Sequence, residues 1–465
     1  MVSAIPVIAL LDIGKTNKKL FLLNQEYRVV YEHTERFSEI EDEDGDPCED
    51  LDRLRSFVLD SLHGLRELHQ LDVRAIQITS YGASLVYLDQ QGEPLAPLYN
   101  YLKPYPEGLM DEFYLRYGGR EAVAAETASP VLGSLNSGMQ LYRFSKHQPD
   151  RFARLETALH LPQYLSWLIT GKQVSDLTSI GCHTQLWSYP NQQYHVWLES
   201  EKLEDKLAPI VSSQTVYPAK NLPWDCVVGV GLHDSSSALI PYLVSNEDPF
   251  VLLSTGTWCI ALNPFDSTPL TQEELRLDCL CYMDYQGRPV KASRLFAGHE
   301  HEKQVSRIAK HFGQSPEAYP ALPCNEEMLR DLLRRFTLTT EQDPEKGLAV
   351  FGGRSMDEFG SGEEAYHMLM LDLTVAQYHA LNRVLRNTQV SQIFVDGGFG
   401  RNEIFMTLLA SAFPHHRVSA AALPQATSMG AALSIHSEWN TLPIPRQLID
   451  LMPYTPINSL SFASS

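Results

Sequence analysis

LLDIGKTNKKLFLL, residues 10–23, sets an apolar run against a Gly-containing polar turn and then a second apolar run. Such a string predicts a strand, a tight turn that presents backbone N–H groups, and a returning strand. Residues 252–264, LLSTGTWCIALNP, repeat the order of apolar pair, polar residue, any residue, Gly, polar residues and apolar run. Two copies of one device point to two related halves. Outward from the first copy, VIALLDI, KLFLLN and RVVYEHTERF have the rhythm of a strand meander. EIEDEDGDPCED (39–50) reads as a solvated acidic loop. Residues 51–69 place Leu51, Leu54, Phe57, Val58, Leu62 and Leu65 on one helical face, and RAIQITSYG and SLVYLDQQGEPL return to strand. Residues 151–208 read as largely helical.

Beyond the second copy, strand and helix patterns alternate: GLAVFGGR, TVAQYHALNRVLRN, QIFVDGG, NEIFMTLLASAF, HRVSAAA and ATSMGAALSIHSEW. That alternation means α/β layers. PYLVSNEDPF (241–250) is the expected boundary, giving domains 1–244 and 245–465. A chain of 465 residues, 44% hydrophobic and 20% charged, is too long for one core and suits two. Its net charge of −20, without a Lys/Arg run, excludes a broad nucleic-acid or anionic-membrane surface but leaves room for a local cationic pocket. The first apolar run has no basic region before it and passes straight into Asp12, so it reads as a buried strand and not a signal peptide. No stretch reaches the length of a membrane span. Seven cysteines, an odd number without a C-x-x-C pair, fit a reduced cytoplasmic protein. The sequence leaves the oligomeric state open between monomer and homodimer.

Four segments could carry chemistry. Asp12-Ile-Gly-Lys-Thr-Asn-Lys18 joins a carboxylate at a strand end to a turn rich in donors, which suits a metal-bound polyphosphate; it reads equally as a polar hairpin turn. It is not a Walker A loop. In LLSTGTW, Thr255, Gly256 and Thr257 could meet the same phosphate, with a hairpin as the plain reading. In IFVDGGFGRNEIF, Gly397, Gly398 and Gly400 at a strand-to-helix crossover, with Asn402 opening the helix, allow a ligand to approach the backbone. GVGLHDSSSALIP sets Asp234 among glycines, hydroxyls and aliphatics, either as the N-cap of a helix or as a catalytic base. Gly430, Ala431 and Ala432 in ATSMGAALSIH read as close helix packing. HEHE (299–302) lacks the i, i+4 histidine pair of a zinc-protease helix and reads as a solvated helix start.

Taken in order, LLDIGKTN, LHLPQYLSWLITGK with TQLW, GLHDSSSA, LLSTGTWCIAL, FVDGGFGRNEIF and SMGAALSI resemble the motifs of the FGGY carbohydrate kinases, of the actin, hexokinase and heat-shock-chaperone superfamily. The resemblance implies an α/β fold of two ribonuclease-H-like (actin-like ATPase) domains with an interdomain cleft for ATP and sugar. It makes Asp234 the base that takes the proton of the sugar hydroxyl and Asp12 the residue that orients Mg²⁺. Gly14, Thr16, Asn17 and Lys18 with Thr255, Gly256 and Thr257 would bind phosphates, and Gly298, Gly398 and Asn402 would line the nucleotide site. STGTW and LHDSSS look similar to the rhamnulokinase and fuculokinase branch, which implies a ketose or deoxyketose of five or six carbons, like L-rhamnulose or L-fuculose. Tyr81, Gly82, Ser84, Asn100, Gln185 and His233 are the candidate sugar contacts. Gly82-Ala83-Ser84 replaces the branch's Gly-Val-Asp, and YNYLKPYPEG lacks its Asp and Arg, so a polyol or other alcohol also fits. The alternative is a nucleotide-binding regulator or scaffold; the intact Asp234 weighs against it.

Overall fold

The structure is a computed structural model that describes residues 4–386, 388–423 and 425–457. The chain forms two units. The first holds the residues up to Val244 together with Cys281–Pro289 and Gln425–Arg446; the second holds Ser245–Leu280, Val290–Pro424 and the residues from Gln447 onward. Two stretches of the expected second domain thus belong to the first unit, so each unit draws on separated parts of the chain.

In unit 1, β1 (Ile5–Ile13) runs antiparallel to β2 (Asn17–Asn24), and β2 antiparallel to β3 (Val29–Arg36). On its other side β1 is parallel to β4 (Leu71–Ser80), which is parallel to β5 (Val227–Gly229). The order is β3-β2-β1-β4-β5, with short strands Val216–Pro218 and Leu232–His233 completing the sheet. β1 reads as a near-continuous apolar run because its middle is buried on both faces, whereas the edge strand β3 alternates half-buried and exposed residues. Against this sheet packs α1 (Leu51–Gly64), capped by Asp50 and buried through Leu51, Leu54, Phe57, Val58 and Leu62.

Unit 2 repeats the scheme. β6 (Phe250–Thr255) is antiparallel to β7 (Cys259–Asn263), and β7 antiparallel to β8 (Pro289–Leu295). β6 is in turn parallel to β9 (Gln392–Gly397), which is parallel to β10 (Arg417–Ala422). The order β8-β7-β6-β9-β10 matches β3-β2-β1-β4-β5 of the first sheet, with Cys279–Met283 added beyond β8 and Asp450–Pro453 beyond β10. The two similar strings of sequence are therefore the same hairpin in two copies of one sheet topology. Its core is built on α6 (Gly362–Leu385), a helix buried nearly all round.

Several elements differ from expectation. GLAVFGGR is not a strand: α5 (Pro344–Ala349) is nucleated by Asp343, which accepts the N–H groups of Glu345 and Lys346, and by Pro344 in the first turn. The helix expected over 374–387 begins at Gly362 and ends at Leu385, and Asn387 lies outside the described residues. Residues 151–208 hold one substantial helix, α2 (Leu161–Thr170), among short strands, turns and the short helices Leu177–Ile180 and Val196–Ser200. The acidic loop is not simply solvated. Lys103, with 4% of its side chain exposed, lies 2.5 Å from Asp42, 2.9 Å from Asp44 and 3.0 Å from Asp46. Asp42 also accepts the N–H groups of Asp44 and Asp46, so the loop folds around the ammonium. The HEHE segment opens α4 (Ala297–Phe312) with Glu300 buried against Gln304 and His301 bonded to the Tyr366 hydroxyl at 3.0 Å, so it is partly core.

Gly430 lies on α8 (Ala426–Ser434), where a Cβ would fall 1.8 Å from the Ser237 carbonyl of α3 (Asp234–Ser245). The close helix packing expected there is present, and it backs the helix that carries Asp234.

Candidate active site

Asp234 begins α3, and its Oδ1 accepts the Ser235 N–H at 2.6 Å and the Ser235 hydroxyl at 3.2 Å. The bond goes to the very next residue, not to the second or third N–H of the helix, so the carboxylate caps only in part. About a third of its side chain, 32%, stays open to solvent. Burial pushes its carboxyl up to about 6 against the Ser235 bonds that favour the anion. Asp12, at the end of β1, is pushed up to about 6 by burial and then by the charge of Asp234, opposed by Lys19 and by the Thr79 hydroxyl at 3.3 Å. The negative charge of Asp234 thus adds to the proton affinity of Asp12.

His233 places Nε2 3.2 Å from Asp234 Oδ1. Burial pushes this imidazole down to about 3, so it stays neutral at physiological pH. Its ring stacks on Tyr282 at 5.6 Å, and its backbone N–H donates to the Thr178 hydroxyl at 3.0 Å. That hydroxyl in turn donates to the buried Asp176, which also accepts from Ser213 and from the Thr178 and Ser179 N–H groups. Asp176 thus positions the His233 backbone through Thr178. Gly82 is what lets the ring lie here, because a Cβ at that position would meet His233 Nε2 at 2.9 Å and Cδ2 at 3.0 Å. Gly82→Ala is accordingly expected to destabilise unit 1 by about 1–3 kcal/mol through overpacking, read as a lower urea midpoint with unchanged m-value.

The sugar contacts expected from the sequence divide. Gly82, His233 and Asp234 come together. Tyr81 turns its hydroxyl to Glu49 at 3.0 Å, and Ser84 is 2% exposed just beyond it. Asn100 is occupied elsewhere, donating to Glu39 and accepting the Leu102 N–H. Gln185 is 1% exposed, accepts the Tyr114 hydroxyl at 2.7 Å and donates to the Pro130 carbonyl, so it serves packing and is not a contact. The residue missed is Tyr101, whose hydroxyl is raised by burial and by the charge of Asp234, and whose ring takes the Lys15 ammonium at 5.9 Å.

In the first hairpin, Gly14 N–H donates to the Asn17 carbonyl at 2.9 Å, leaving Thr16 exposed at the tip; Asn17 accepts from Arg36 at 2.8 Å. Lys18 departs from expectation. It is fully buried and ion-paired with Glu49, itself 4% exposed, and is not available to a phosphate. Its alternation along β2 points it inward. Lys15, bound to Glu39 at 2.7 Å, is the half-open lysine of this turn.

In the second hairpin, Gly256 and Thr257 are exposed, and Gly298 allows α4 to approach them, since a Cβ there would lie 1.9 Å from the Gly256 carbonyl. Thr255 is not free to bind phosphate: its hydroxyl donates to the Asp396 carbonyl at 2.5 Å and accepts the Phe399 N–H at 3.0 Å. This ties β6 to the exposed Gly397-Gly398 turn. Asn402 is 4% exposed, caps α7 (Glu403–Ala412) through the Phe405 N–H and donates to Tyr366 and Pro320, so its role is to hold the turn and not to contact a ligand.

These two hairpins on matching sheets coincide with two family patterns. Residues 7–219 match the N-terminal domain of the FGGY family of carbohydrate kinases, and residues 247–442 the C-terminal domain of carbohydrate kinase FGGY. The chain belongs to the FGGY family. Among curated relatives, the FGGY chain is 24% identical over 265 residues to the rhamnulokinase of Halalkalibacterium halodurans, covering 54% of each protein. It is 26% identical over 280 residues to that of Mannheimia succiniciproducens, covering 57% of this chain and 55% of that one. The matches thus span about half the length of these relatives. A solved carbohydrate kinase from Novosphingobium aromaticivorans superposes with a TM-score of 0.79 at 25% identity, covering 97% of both chains. The ligand-bound xylulose kinase of Lactobacillus acidophilus, 16% identical, shares the fold with a TM-score of 0.79, covering 97% of this chain and 94% of that one. Among the described residues of this FGGY chain no helix is long and apolar enough to cross a membrane, and none of the seven cysteines forms a disulfide.

Proposed function

We propose that this chain transfers the γ-phosphoryl group of Mg-ATP to a hydroxyl of a five- or six-carbon ketose or deoxyketose. The observation that carries this is Asp234: a carboxyl tuned to about 6, open on one side, held beside an imidazole that stays neutral. A general base works best with a proton affinity near the operating pH. As the acceptor oxygen forms its bond to phosphorus, Asp234 takes the hydroxyl proton while the bond to the ADP oxygen breaks. Phosphoryl transfer asks little more than positioning and charge neutralisation. His233, which stays neutral, sets its Nε2 3.2 Å from Asp234 Oδ1 and so packs against the base. Asp12 would hold Mg²⁺: it offers hard oxygen donors, and the repulsion it shares with Asp234 is what a divalent cation relieves. The ion, when bound, supplies charge neutralisation at the phosphates. The exposed turns at Thr16 and Thr257 are suited to phosphate oxygens, while the N–H groups of Gly256 and Gly398 close their own turns on the Trp258 and Thr255 carbonyls. The rhamnulokinase relatives favour an L-rhamnulose-like acceptor. Seven cysteines outside any disulfide favour the cytoplasm.

The test is ADP release by the purified protein with Mg-ATP over ketoses, deoxyketoses, aldoses and polyols. One sugar raising turnover well above the ATP-only rate is the expected result; a flat panel with ATP bound removes the assignment. With that sugar, kcat/KM should rise with pH through about 6 as the two carboxyls lose their protons, with a slope steeper than one below that point. Stability should run the other way. Both carboxyls bind protons more tightly folded than at the unfolded value of 3.8, so unit 1 loses stability as pH climbs from about 4 to 6. A pH-independent rate across that window would sink the base assignment.

A further inference from the structure

We propose that Cys182, His183 and His233 form a binding site for a thiophilic divalent cation of the zinc type, beside Asp234. One ligand atom from each of the three lies within 4.8 Å of the others. A tetrahedral ion with Zn–S of about 2.3 Å and Zn–N of about 2.0 Å sets sulfur and nitrogen roughly 3.5 Å apart. Cys182 Sγ and His233 Nε2 are 3.5 Å apart. His183 shows the supporting bond that metal-binding histidines use: its Nδ1 meets the Leu135 carbonyl at 3.1 Å, which places the proton there and leaves Nε2 with its lone pair. His233 is tied to no backbone group through its ring, and its Nδ1 is buried without a hydrogen-bond partner. Asp234 Oδ1, 3.2 Å from His233 Nε2, can complete four-coordination as the oxygen ligand.

Relative exposures of 0% for Cys182, 8% for His183 and 3% for His233 put the ligands in a dry setting, where metal–ligand bonds compete with little water. The open side of Asp234 is the way in. The donor set also selects. One thiolate and two imidazoles suit zinc, cobalt and copper and are poor partners for magnesium, so millimolar Mg²⁺ in a kinase assay leaves the site to softer ions. Binding displaces the thiol proton to solvent. It also engages Asp234, the base given to the acceptor above, together with its neighbour His233. On the proposed kinase reading, zinc therefore inhibits without competing for Mg²⁺.

The probe is Co²⁺ added to the full, chelator-treated chain. One equivalent should give a thiolate-to-cobalt charge-transfer band that Zn²⁺ erases and excess Mg²⁺ does not. Cys182→Ser should lose the band, and His183→Gln should weaken Co²⁺ binding at least tenfold while keeping it. No band, or a band that survives in Cys182→Ser, overturns the site; so does unweakened binding in His183→Gln, which decides the matter should Cys182→Ser fail to fold. Oxygen-only binding, such as Asp42, Asp44 and Asp46 could give, produces no such band and counts against it. A band that behaves as expected in a protein with no sugar-dependent turnover leaves the site standing and removes the kinase reading alone.

Discussion

Asp234→Asn is expected to lower sugar-dependent turnover by about 10²- to 10⁴-fold, the usual worth of a general base in proton transfer. Asparagine keeps an oxygen where Oδ1 accepts the Ser235 N–H and hydroxyl, so the start of α3 loses none of its local bonds. It also removes a charge that burial disfavours, as the upward displacement of this carboxyl to about 6 records. The variant should therefore melt no lower than the parent at pH 7, and ATP affinity should hold. If Asp234 served only the helix, the outcome would invert: turnover near the parent level. Comparing kcat, KM for ATP and Tm in the two proteins separates the readings in one set of measurements.

Lys18→Met should cost about 3–5 kcal/mol, seen as a fall in the urea midpoint. The ammonium is fully buried, pairs with Glu49 and also donates to the Lys15 carbonyl at 3.0 Å. Removing it strands a carboxylate that is 4% exposed, with Tyr81 at 3.0 Å and Lys15 at 3.6 Å left to it among the described residues. The double variant Lys18→Met with Glu49→Met should recover much of the loss, since a buried pair exchanged for apolar groups is often close to neutral. A single-variant loss below about 1 kcal/mol would show that Glu49 is satisfied without Lys18.

Sheets and hairpins were legible because their signal is local. Each of the two strings carries its own strand, turn and return strand, and the buried middle strands write their position as unbroken apolar runs. The Asp12, Gly82, His233 and Asp234 neighbourhood was legible in its parts, because carboxylates and glycines are conspicuous in apolar surroundings. The failures share a different cause. Lys18, Thr255, Asn402 and Gln185 are chemically able to bind a ligand, and their residue types alone allowed that reading. What removes them is a partner supplied from elsewhere in the chain: Glu49 for Lys18, the Asp396 carbonyl for Thr255, Tyr366 for Asn402, Tyr114 for Gln185. Such pairings leave no periodicity. The same holds for Tyr101, whose closeness to Asp234 is a matter of tertiary path. GLAVFGGR was misread because a capping Asp and a first-turn Pro just ahead of it outweigh the strand-like look of its apolar residues.

The ammonium of Lys103, enclosed by three aspartates, has a bearing on how this enzyme family member meets its surroundings. A loop of alternating acids ordinarily waits for an ion from solution, so its order follows the concentration of that ion. Here the counter-charge is carried by the same polypeptide, at an effective concentration set by chain length and not by the medium. The loop and the Tyr99–Lys103 segment it clasps are thereby held together by charges of the chain itself.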